Sequence, residues 1–214
     1  MSTTVSISIR EPEDHALMRA AEVIHSGGLI VYPTETLYGI GADARNPLAV
    51  GAVQRVKRRA DGKPILIVVA SAEALTGLVD EVNDVARLLM DAFWPGPLTL
   101  VFKASKGVPE GITHGLGTVG VRVPSSAVCL KLLDRCGCPL TSTSANISGQ
   151  SPSRTITHIR QELGEGIDLY LDAGELPEAK PSTVIDVTSP VPRIVRAGLI
   201  SNEAIRNIIP ELSI

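Results

Sequence analysis

The sequence predicts an α/β fold, arranged as one domain with a twisted, mixed parallel and antiparallel sheet and flanking helices. Segments with apolar residues three or four positions apart alternate with short apolar runs that are typical of buried strands. After about residue 167, three strand-like runs follow one another without a helix between them, which favours antiparallel pairs. The 214 residues contain no repeat, linker or low-complexity tract, so we expect residues 1–214 to form one domain.

Five segments carry the helical pattern, and two of them have clear end signals. The segment DHALMRAAEVIHSGG stops at Gly27 and Gly28, because consecutive glycines favour the end of a helix. The segment NPLAVGAVQRVKRR begins with Asn46 as the capping residue and Pro47 in the first turn. The other three predicted helices are NDVARLLMDAFWPGP, SSAVCLKLLDRCG and SNEAIRNIIP.

The predicted strands are the apolar runs between these helices. They are LIVY, ILIVVA, LTLVFKA, TVGVRVP and CPLTS, followed by IDLYLDAG, STVIDVT and PRIVRAG. The run ILIVVA, residues 65–70, is apolar throughout, as expected for a strand buried on both faces. LIVY is followed by Pro33, which lacks a backbone donor and therefore ends the strand.

Composition argues against several classes of protein. The net charge of −3 and the aromatic content of 3% favour neither electrostatic attraction to nucleic acid nor base stacking, so any RNA contact should be weak. No apolar run is long enough to span a membrane, and the polar start MSTTVSISIR lacks a signal core, so we expect a cytoplasmic protein. Cys129, Cys136 and Cys138 are interpreted as reduced structural thiols, with a reactive pair as the alternative.

The segment PTETLYGIG, residues 33–41, places hydroxyls and a carboxylate in a loop that is still apolar enough to be buried. In an extended segment, Thr34 and Thr36 point to one side and Glu35 points to the other. Loops at strand ends often carry binding sites, so a functional site is one interpretation. A plain connection whose glycines permit tight backbone angles is the other, and the residues alone do not separate the two.

Two further segments concentrate polar groups. VKRRADGKP, residues 56–64, brings Lys57, Arg58, Arg59 and Lys63 to the start of a buried strand, where they could bind phosphates or simply favour a helix C-terminus. TSTSANISG, residues 141–149, carries five hydroxyls and an asparagine after a short strand. That density suits donors for phosphate or carboxylate oxygens, although solvated Ser/Thr turns are also common.

Two arginines occupy predicted strands. Arg122 lies inside TVGVRVP and Arg196 lies inside PRIVRAG. A buried guanidinium needs a partner, and for Arg122 a structural carboxylate and an anionic ligand are equally compatible with the sequence. The chain has no P-loop, no nucleophile elbow and no histidine pair at metal spacing, so a site built from these groups would act by positioning and charge stabilisation.

Taken together, these motifs resemble a known family. YPTETLYGIGADA, Lys57-x-Arg59 with Lys63-Pro64, VGVRVP, STSANISG, PSTVID and VRAG occur in the order found in the YrdC-like L-threonylcarbamoyladenylate synthases. The match runs from about residue 15 to about residue 200 and is nearest to the single-domain bacterial form. The resemblance implies a deep basic cavity in which L-threonine, bicarbonate and ATP, accompanied by Mg²⁺, give threonylcarbamoyl-AMP and pyrophosphate. It also implies that a separate tRNA-modifying transferase complex uses the product.

The resemblance assigns individual residues to two sets of contacts. It implies that threonine is bound by Thr34, Lys63, Arg122, Ser142 and Ser182. It implies that the nucleotide is bound by Lys57, Arg59, Thr118, Ser144, Asn146 and Arg196, with Lys57 and Arg59 as the catalytic basic pair and no metal held by protein ligands. Glu35 receives no contact from the resemblance, and we expect it to order a neighbouring basic side chain.

Two departures from the family pattern and two other functions remain. Arg58 and Ala60 stand where the family often has Gly and Pro, and Lys63 stands where relatives commonly have Asn or His, which puts the role of Lys63 in question. A carbamoyl-adenylate-forming domain of hydrogenase maturation is one alternative, although the chain has no room for the zinc-finger and acylphosphatase-like modules of that machinery. A non-catalytic RNA-binding module is the other, and its affinity would fall steeply with salt.

Overall fold

The computed structural model describes residues 2–58 and 63–212, and in them it has the predicted α/β fold. The described strands are β1 (Thr3–Ser6), β2 (Ile30–Pro33), β3 (Tyr38–Gly41), β4 (Ile67–Val68), β5 (Leu98–Lys103), β6 (Thr118–Arg122), β7 (Leu140–Thr141), β8 (Thr143–Ser144), β9 (Leu169–Asp172), β10 (Thr183–Asp186) and β11 (Arg193–Arg196). The helices are α1 (Asp14–His25), α2 (Pro47–Val56), α3 (Asp84–Phe93), α4 (Glu110–Thr113), α5 (Ala127–Cys136), α6 (Ile156–Leu163) and α7 (Asn202–Arg206). None of these helices is long and apolar enough to cross a membrane.

The helices begin and end where short-range signals place them. Asn46 caps α2, since its side-chain oxygen accepts hydrogen bonds from the backbone N–H groups of Leu48 and Ala49 at 3.0 and 3.3 Å. Helix α5 ends at Gly137, whose φ of 59° lies in the left-handed region that glycine adopts without strain. All five predicted helices are therefore present, and α4 and α6 are additional.

The strands form two mixed sheets rather than one. Sheet 1 has the order β1-β9-β2-β3-β8, and sheet 2 has the order β11-β10-β5-β6-β4-β7. Strand β9 joins β1 and β2 in parallel, whereas β10 joins β5 in parallel and β11 antiparallel. The expectation of consecutive antiparallel strands after residue 167 is thus correct for β10 and β11 and wrong for β9. The reason is that β9 forms its hydrogen bonds with β1 and β2, which belong to the N-terminal part of the chain.

The loop that follows β2 leads into a strand, β3, that was not among the predicted strands. Residues 34–37 form a turn, and the chain then returns as β3, which pairs antiparallel with β2 and with β8. By contrast, only Ile67 and Val68 of the predicted strand ILIVVA pair as β4. Short strands such as β3 and β8 depend on their partners more than on their own sequence, because their residues include glycine and hydroxyl side chains.

Two buried clusters hold these layers together. The larger one contains apolar residues from both sheets, among them Val31 and Ile40 of sheet 1 and Leu100 and Val121 of sheet 2. The smaller one packs α1 and α5 against the other face of sheet 1. Because alternate residues of β2 face opposite clusters, sheet 1 is covered on both faces. The ends of the strands at the junction of the sheets remain available for polar side chains.

Candidate active site

A cavity of about 540 Å³ lies where the two sheets meet. The polar residues that line it are Thr34, Thr36, Tyr38, Thr99, Thr118, Ser142, Thr143, Ser144 and Ser182, together with Arg122 and Arg196. Among the described residues that line it, none is aspartate, glutamate or histidine. The volume is in the range of about 300–1,000 Å³ that is usual for small-molecule sites. The arrangement suits an anionic ligand with hydrogen-bond acceptors.

The cavity brings together seven of the eleven predicted site residues. These seven are Thr34, Thr118, Arg122, Ser142, Ser144, Ser182 and Arg196. Lys57, Lys63 and Asn146 are not among the described residues that line the cavity, and Arg59 lies outside the described residues. The seven belong to three strands, β6, β8 and β11, and to three connecting segments, and they are distant in the sequence. Strand pairing therefore assembles the site.

The turn between β2 and β3 is fixed by the hydroxyl of Thr34. Its Oγ1 accepts hydrogen bonds from the backbone N–H groups of Thr36 and Leu37, each at 3.1 Å, and donates to the carbonyl of Leu37 at 2.7 Å. The hydroxyls of Thr34 and Thr36 are 2.9 Å apart. As the alternation predicts, both threonines line the cavity and Glu35 does not. This turn therefore lies at the cavity in a rigid arrangement, and the hydroxyl of Thr34 is used in holding it.

Gly39 and Gly41 of this segment are required for different structural reasons. Gly39 lines the cavity beside Ser142, whose Oγ would be 3.3 Å from a β-carbon at position 39. A β-carbon at Gly41 would lie 2.9 Å from the side chains of Ile30 and Tyr32. Gly39 thus permits a close approach at the cavity wall, whereas Gly41 is required by packing within sheet 1.

Arg122 extends from β6 into the cavity wall and contacts the β2–β3 turn. Its side chain is 3% exposed, and its Nη1 is 3.7 Å from Oε1 of Glu35 and 3.5 Å from the hydroxyl of Thr36. The sequence left open whether Arg122 has a structural carboxylate or an anionic ligand as its partner. The structure provides the carboxylate and also places the guanidinium at the cavity.

The guanidinium group of Arg196 is held by hydrogen bonds to Ser182. Its Nε and Nη2 donate hydrogen bonds to the backbone carbonyl of Ser182 at 3.1 and 2.9 Å, and Nη2 also donates to the hydroxyl of Ser182 at 3.0 Å. That hydroxyl is 2.9 Å from Oγ1 of Thr99. Burial lowers the pKa of Arg196, and the nearby charge of Arg122 lowers it further. The positive charges of the two guanidinium groups at the cavity therefore repel each other.

Lys57 lies next to residues 141–149, which we call the hydroxyl loop, and is not among the described residues that line the cavity. The residue is 1% exposed, and its ammonium group donates hydrogen bonds to the backbone carbonyls of Ser144 and Asn146, the latter at 2.8 Å. The backbone N–H of Ser148 in turn donates to the carbonyl of Lys57 at 2.9 Å. Asn146 accepts a hydrogen bond from the hydroxyl of Ser144 and donates to the carbonyls of Ile147 and Gln150. Both side chains organise the loop that presents Ser142 and Ser144.

Neutral groups surround the buried side of the site. Burial raises the pKa of the Cys129 thiol to about 12, with a further contribution from the charge of Glu35. Burial also raises the pKa of Tyr32, whose hydroxyl donates to the carbonyl of Thr141 at 3.3 Å. All three cysteines are free and buried, as the interpretation as structural thiols expects.

Some lining residues carried no signal in the sequence. Thr99 and Thr143 supply hydroxyls, and Leu66, Val101 and Val184 supply apolar surface. A threonine inside an apolar strand such as β5 is common and does not indicate a site by itself. Thr143 lies in the hydroxyl-rich segment that was singled out, so only its individual role was missed. The described residues contain no group of three or more His, Cys, Asp or Glu side chains that could hold a metal ion.

Comparisons with known proteins show which family the chain is similar to. A sequence model of the family Sua5/YciO/YrdC, described as telomere recombination, matches residues 22–198. A threonylcarbamoyl-AMP synthase of Pyrococcus abyssi is 39% identical over 212 residues, which are 99% of this chain and 62% of that relative. A threonylcarbamoyl-AMP synthase of Thiobacillus denitrificans is 37% identical over 193 residues, which are 88% of this chain and 97% of that relative.

A solved structure is similar over the same extent. The crystal structure of P. abyssi Sua5 complexed with L-threonine is 37% identical and superposes with a TM-score of 0.95, covering 99% of this chain and 62% of that one. The chain therefore spans less than two thirds of the P. abyssi protein and nearly all of the T. denitrificans one. These comparisons confirm the resemblance of the sequence motifs and the α/β fold.

Proposed function

Because the chain belongs to the Sua5/YciO/YrdC family, we propose that it is an L-threonylcarbamoyladenylate synthase. In this reaction L-threonine, bicarbonate and ATP give threonylcarbamoyl-AMP, pyrophosphate and water. The observation that carries the proposal is the cavity of about 540 Å³ in which seven predicted contact residues meet. The relatives favour this activity over an RNA-binding module or a hydrogenase-maturation domain, because the named synthases match nearly the whole chain.

The amino acid is assigned to the part of the cavity beside the β2–β3 turn. Arg122 is the candidate partner of the threonine carboxylate, because a guanidinium can donate two parallel hydrogen bonds to it. Thr34, Ser142 and Ser182 supply hydroxyls for the polar groups of threonine. Lys63 precedes Pro64, which lines the cavity, and is assigned to the same end of the site.

The nucleotide is assigned to the side formed by the hydroxyl loop and β11. Arg196, Thr118 and Ser144 line this side and are candidate donors to phosphate oxygens. Arg59, which lies outside the described residues, is proposed as the second cation facing the phosphates. Lys57 and Asn146 act on the nucleotide through the loop that they organise.

The chemistry requires two bond-forming steps. In the first, the lone pair of the threonine amine attacks the carbon of bicarbonate, and water leaves to give the N-carboxylate. In the second, an oxygen of that carboxylate attacks the α-phosphorus in line and pyrophosphate departs. The cations stabilise charge on the phosphates, and water that the bound substrates displace from the cavity cannot hydrolyse the carbamate or the mixed anhydride.

Magnesium enters this proposal with ATP. Mg²⁺ prefers phosphate oxygens and water as ligands, so the proposal binds it through the phosphates of ATP. When bound, it supplies neutralising charge for the leaving pyrophosphate. The proposal also assigns the protein to the cytoplasm, gives the product to a separate tRNA-modifying transferase complex, and allows at most a weak direct contact with RNA.

The direct test is incubation of the purified chain with ATP, Mg²⁺, ¹⁴C-bicarbonate and L-threonine, followed by chromatography. We expect a labelled adenylate whose formation needs all three substrates, together with an equal amount of pyrophosphate. ATP turnover that does not depend on threonine, or the absence of a labelled product, would contradict the proposal.

A further inference from the structure

Glu35 has an unusual environment for a carboxylate. Neither of its carboxylate oxygens is accessible to solvent, and neither has a hydrogen-bond donor within reach among the described residues. Its side chain is 17% exposed, lies beside Arg122 and is not among the described residues that line the cavity. A buried carboxylate without donors is costly, so a charged partner must offset the loss of hydration. The only cation that the described residues place within 4 Å of it is Arg122.

The contact between these two charges is loose. The distance of 3.7 Å between Arg122 Nη1 and Glu35 Oε1 allows attraction but is too long for a hydrogen bond. The Nε of Arg122 is also buried and without an acceptor. The guanidinium is therefore attracted to Glu35 without committing its donors to it, which leaves hydrogen-bonding capacity for another anion.

From this geometry we propose that Glu35 is a positioning residue that orients the guanidinium of Arg122 for the carboxylate of the amino-acid substrate. The inference rests on the proposed function and adds a residue to it. Glu35 does not touch the substrate; it fixes the direction of a side chain that does.

The surroundings of Glu35 explain why one carboxylate has this effect. The neighbouring Tyr32 and Cys129 are buried, and their raised pKa values keep both neutral over the physiological range. On the cavity side, Arg122 faces Arg196, and the two like charges repel each other. Among the described residues, Glu35 is the one negative charge within 4 Å of Arg122, and it draws the guanidinium toward the β2–β3 turn.

The backbone supplies the rigidity that this role needs. Glu35 lies between Thr34 and Thr36, and the hydroxyl of Thr34 holds the turn through three hydrogen bonds. The Nη1 of Arg122 is also 3.5 Å from the hydroxyl of Thr36. One turn thus places both the counter-ion and the hydroxyl of Thr36 beside Arg122.

The test compares steady-state constants of the wild type with those of Glu35→Gln, which removes the charge and keeps the shape. We expect the KM for L-threonine to rise by at least about tenfold, while the KM for ATP changes by less than about twofold. The KM for L-threonine of Glu35→Asp, which keeps the charge, should lie between those of the wild type and Glu35→Gln. Glu22→Gln, which removes the carboxylate of an exposed ion pair on α1, is the matched control and should not change either constant.

A double-mutant cycle separates positioning from a general structural effect. If Glu35 acts through Arg122, Glu35→Gln should cause little further loss of threonine affinity in an Arg122→Gln background. Equal loss in both backgrounds, equal changes in both KM values, or a lower melting temperature without a change in threonine KM would overturn the inference.

Two further results are possible, a Glu35→Gln variant that does not fold and a wild type that makes no adenylate. If Glu35→Gln does not fold, Glu35→Asp carries the test, and an unchanged threonine KM in that variant would overturn the inference. If the wild type makes no adenylate, the proposed function fails. Calorimetric titration of L-threonine into the wild type and the Glu35 variants then tests the positioning role alone, and equal affinities would overturn it.

Discussion

Lys57 illustrates how the environment of one residue changes its interpretation. The sequence predicts a cation that faces phosphates, yet the ammonium group donates to two backbone carbonyls and the residue is 1% exposed. Burial of an ammonium is tolerated only when its hydrogen-bonding capacity is used, as it is here. The role of Lys57 in organising the hydroxyl loop follows from its contacts, whereas a direct contact with phosphate remains a prediction.

Replacement of Lys57 by Met should therefore affect both stability and activity. The variant keeps most of the side-chain volume and leaves two buried carbonyls without their donor, so we expect the free energy of unfolding to fall by roughly 2–4 kcal/mol. Urea denaturation measures the loss, and adenylate formation should fall with it. Lys131→Met on the exposed face of α5 is the control. A Lys57→Met variant as stable as the wild type would show that the ammonium does not support the loop.

Substrate choice is also argued at the scale of single residues. The hydroxyls that line the cavity can form hydrogen bonds to the threonine hydroxyl, and valine, which has the same shape, would leave these groups unpaired. We expect kcat/KM for valine to be at least about 100-fold below that for threonine. Serine, which keeps the hydroxyl and lacks the methyl group, should be the better substrate of the two analogues. Pyrophosphate release with each amino acid measures this order, and comparable values for threonine and valine would contradict the assignment.

At the scale of elements, the segment after β11 supports the site through a close backbone contact. A β-carbon at Gly198 would lie 2.3 Å from the carbonyl oxygen of Pro181 and 2.4 Å from the backbone of Ser182 and Thr183. The N–H of Leu199 also donates to the carbonyl of Pro181 at 3.0 Å. The glycine therefore lets one strand end pass directly beside the segment that presents Ser182 to the cavity.

Gly198→Ala should displace this segment, because neither backbone can move without breaking its hydrogen bonds. We expect a loss of about 1–3 kcal/mol in the free energy of unfolding and a higher KM for threonine. Gly51→Ala is the control, since Gly51 lies inside α2 and its new β-carbon would meet only the end of the Arg55 side chain at 3.4 Å. That variant should gain about 0.5–1 kcal/mol. Similar stability of the two variants would refute the close-contact argument.

At the scale of the whole molecule, burial of weak acids determines the response to high pH. Burial raises the pKa values of Tyr38, Tyr170 and Cys129 to about 12 each, above the ordinary values of 10.0 for tyrosine and 9.0 for cysteine. The folded state therefore keeps these protons where the unfolded state loses them. Their contribution to stability is complete below pH 9 and is lost as the pH rises from 9 toward 12.

We accordingly expect the free energy of unfolding to fall steeply between pH 9 and pH 12, as measured by urea denaturation at each pH. Tyr170→Phe should reduce the slope above pH 10, because one of the buried groups that lose a proton on unfolding is removed. The same variant loses the hydrogen bond from Tyr170 to the carbonyl of Gly164, so its stability at neutral pH is the reference for the comparison. An unchanged slope would mean that Tyr170 does not contribute to the alkaline transition.

The sequence by itself determined the class of fold, the five main helices and most of the polar groups of the site. Helix ends depend on neighbours within one turn, so Asn46 and Gly137 could be assigned from the chain alone. The alternation of Thr34, Glu35 and Thr36 likewise predicted which side chains face the cavity. These features depend on local geometry, which the order of residues specifies directly.

Only the tertiary structure decided the division into two sheets, the burial of Lys57 and the pairing of Glu35 with Arg122. Each depends on segments that are far apart in the chain and meet through strand pairing. Short strands such as β3 and β8 take their conformation from their partners, and a charge takes its role from the atoms around it. No pattern within one segment contains that information.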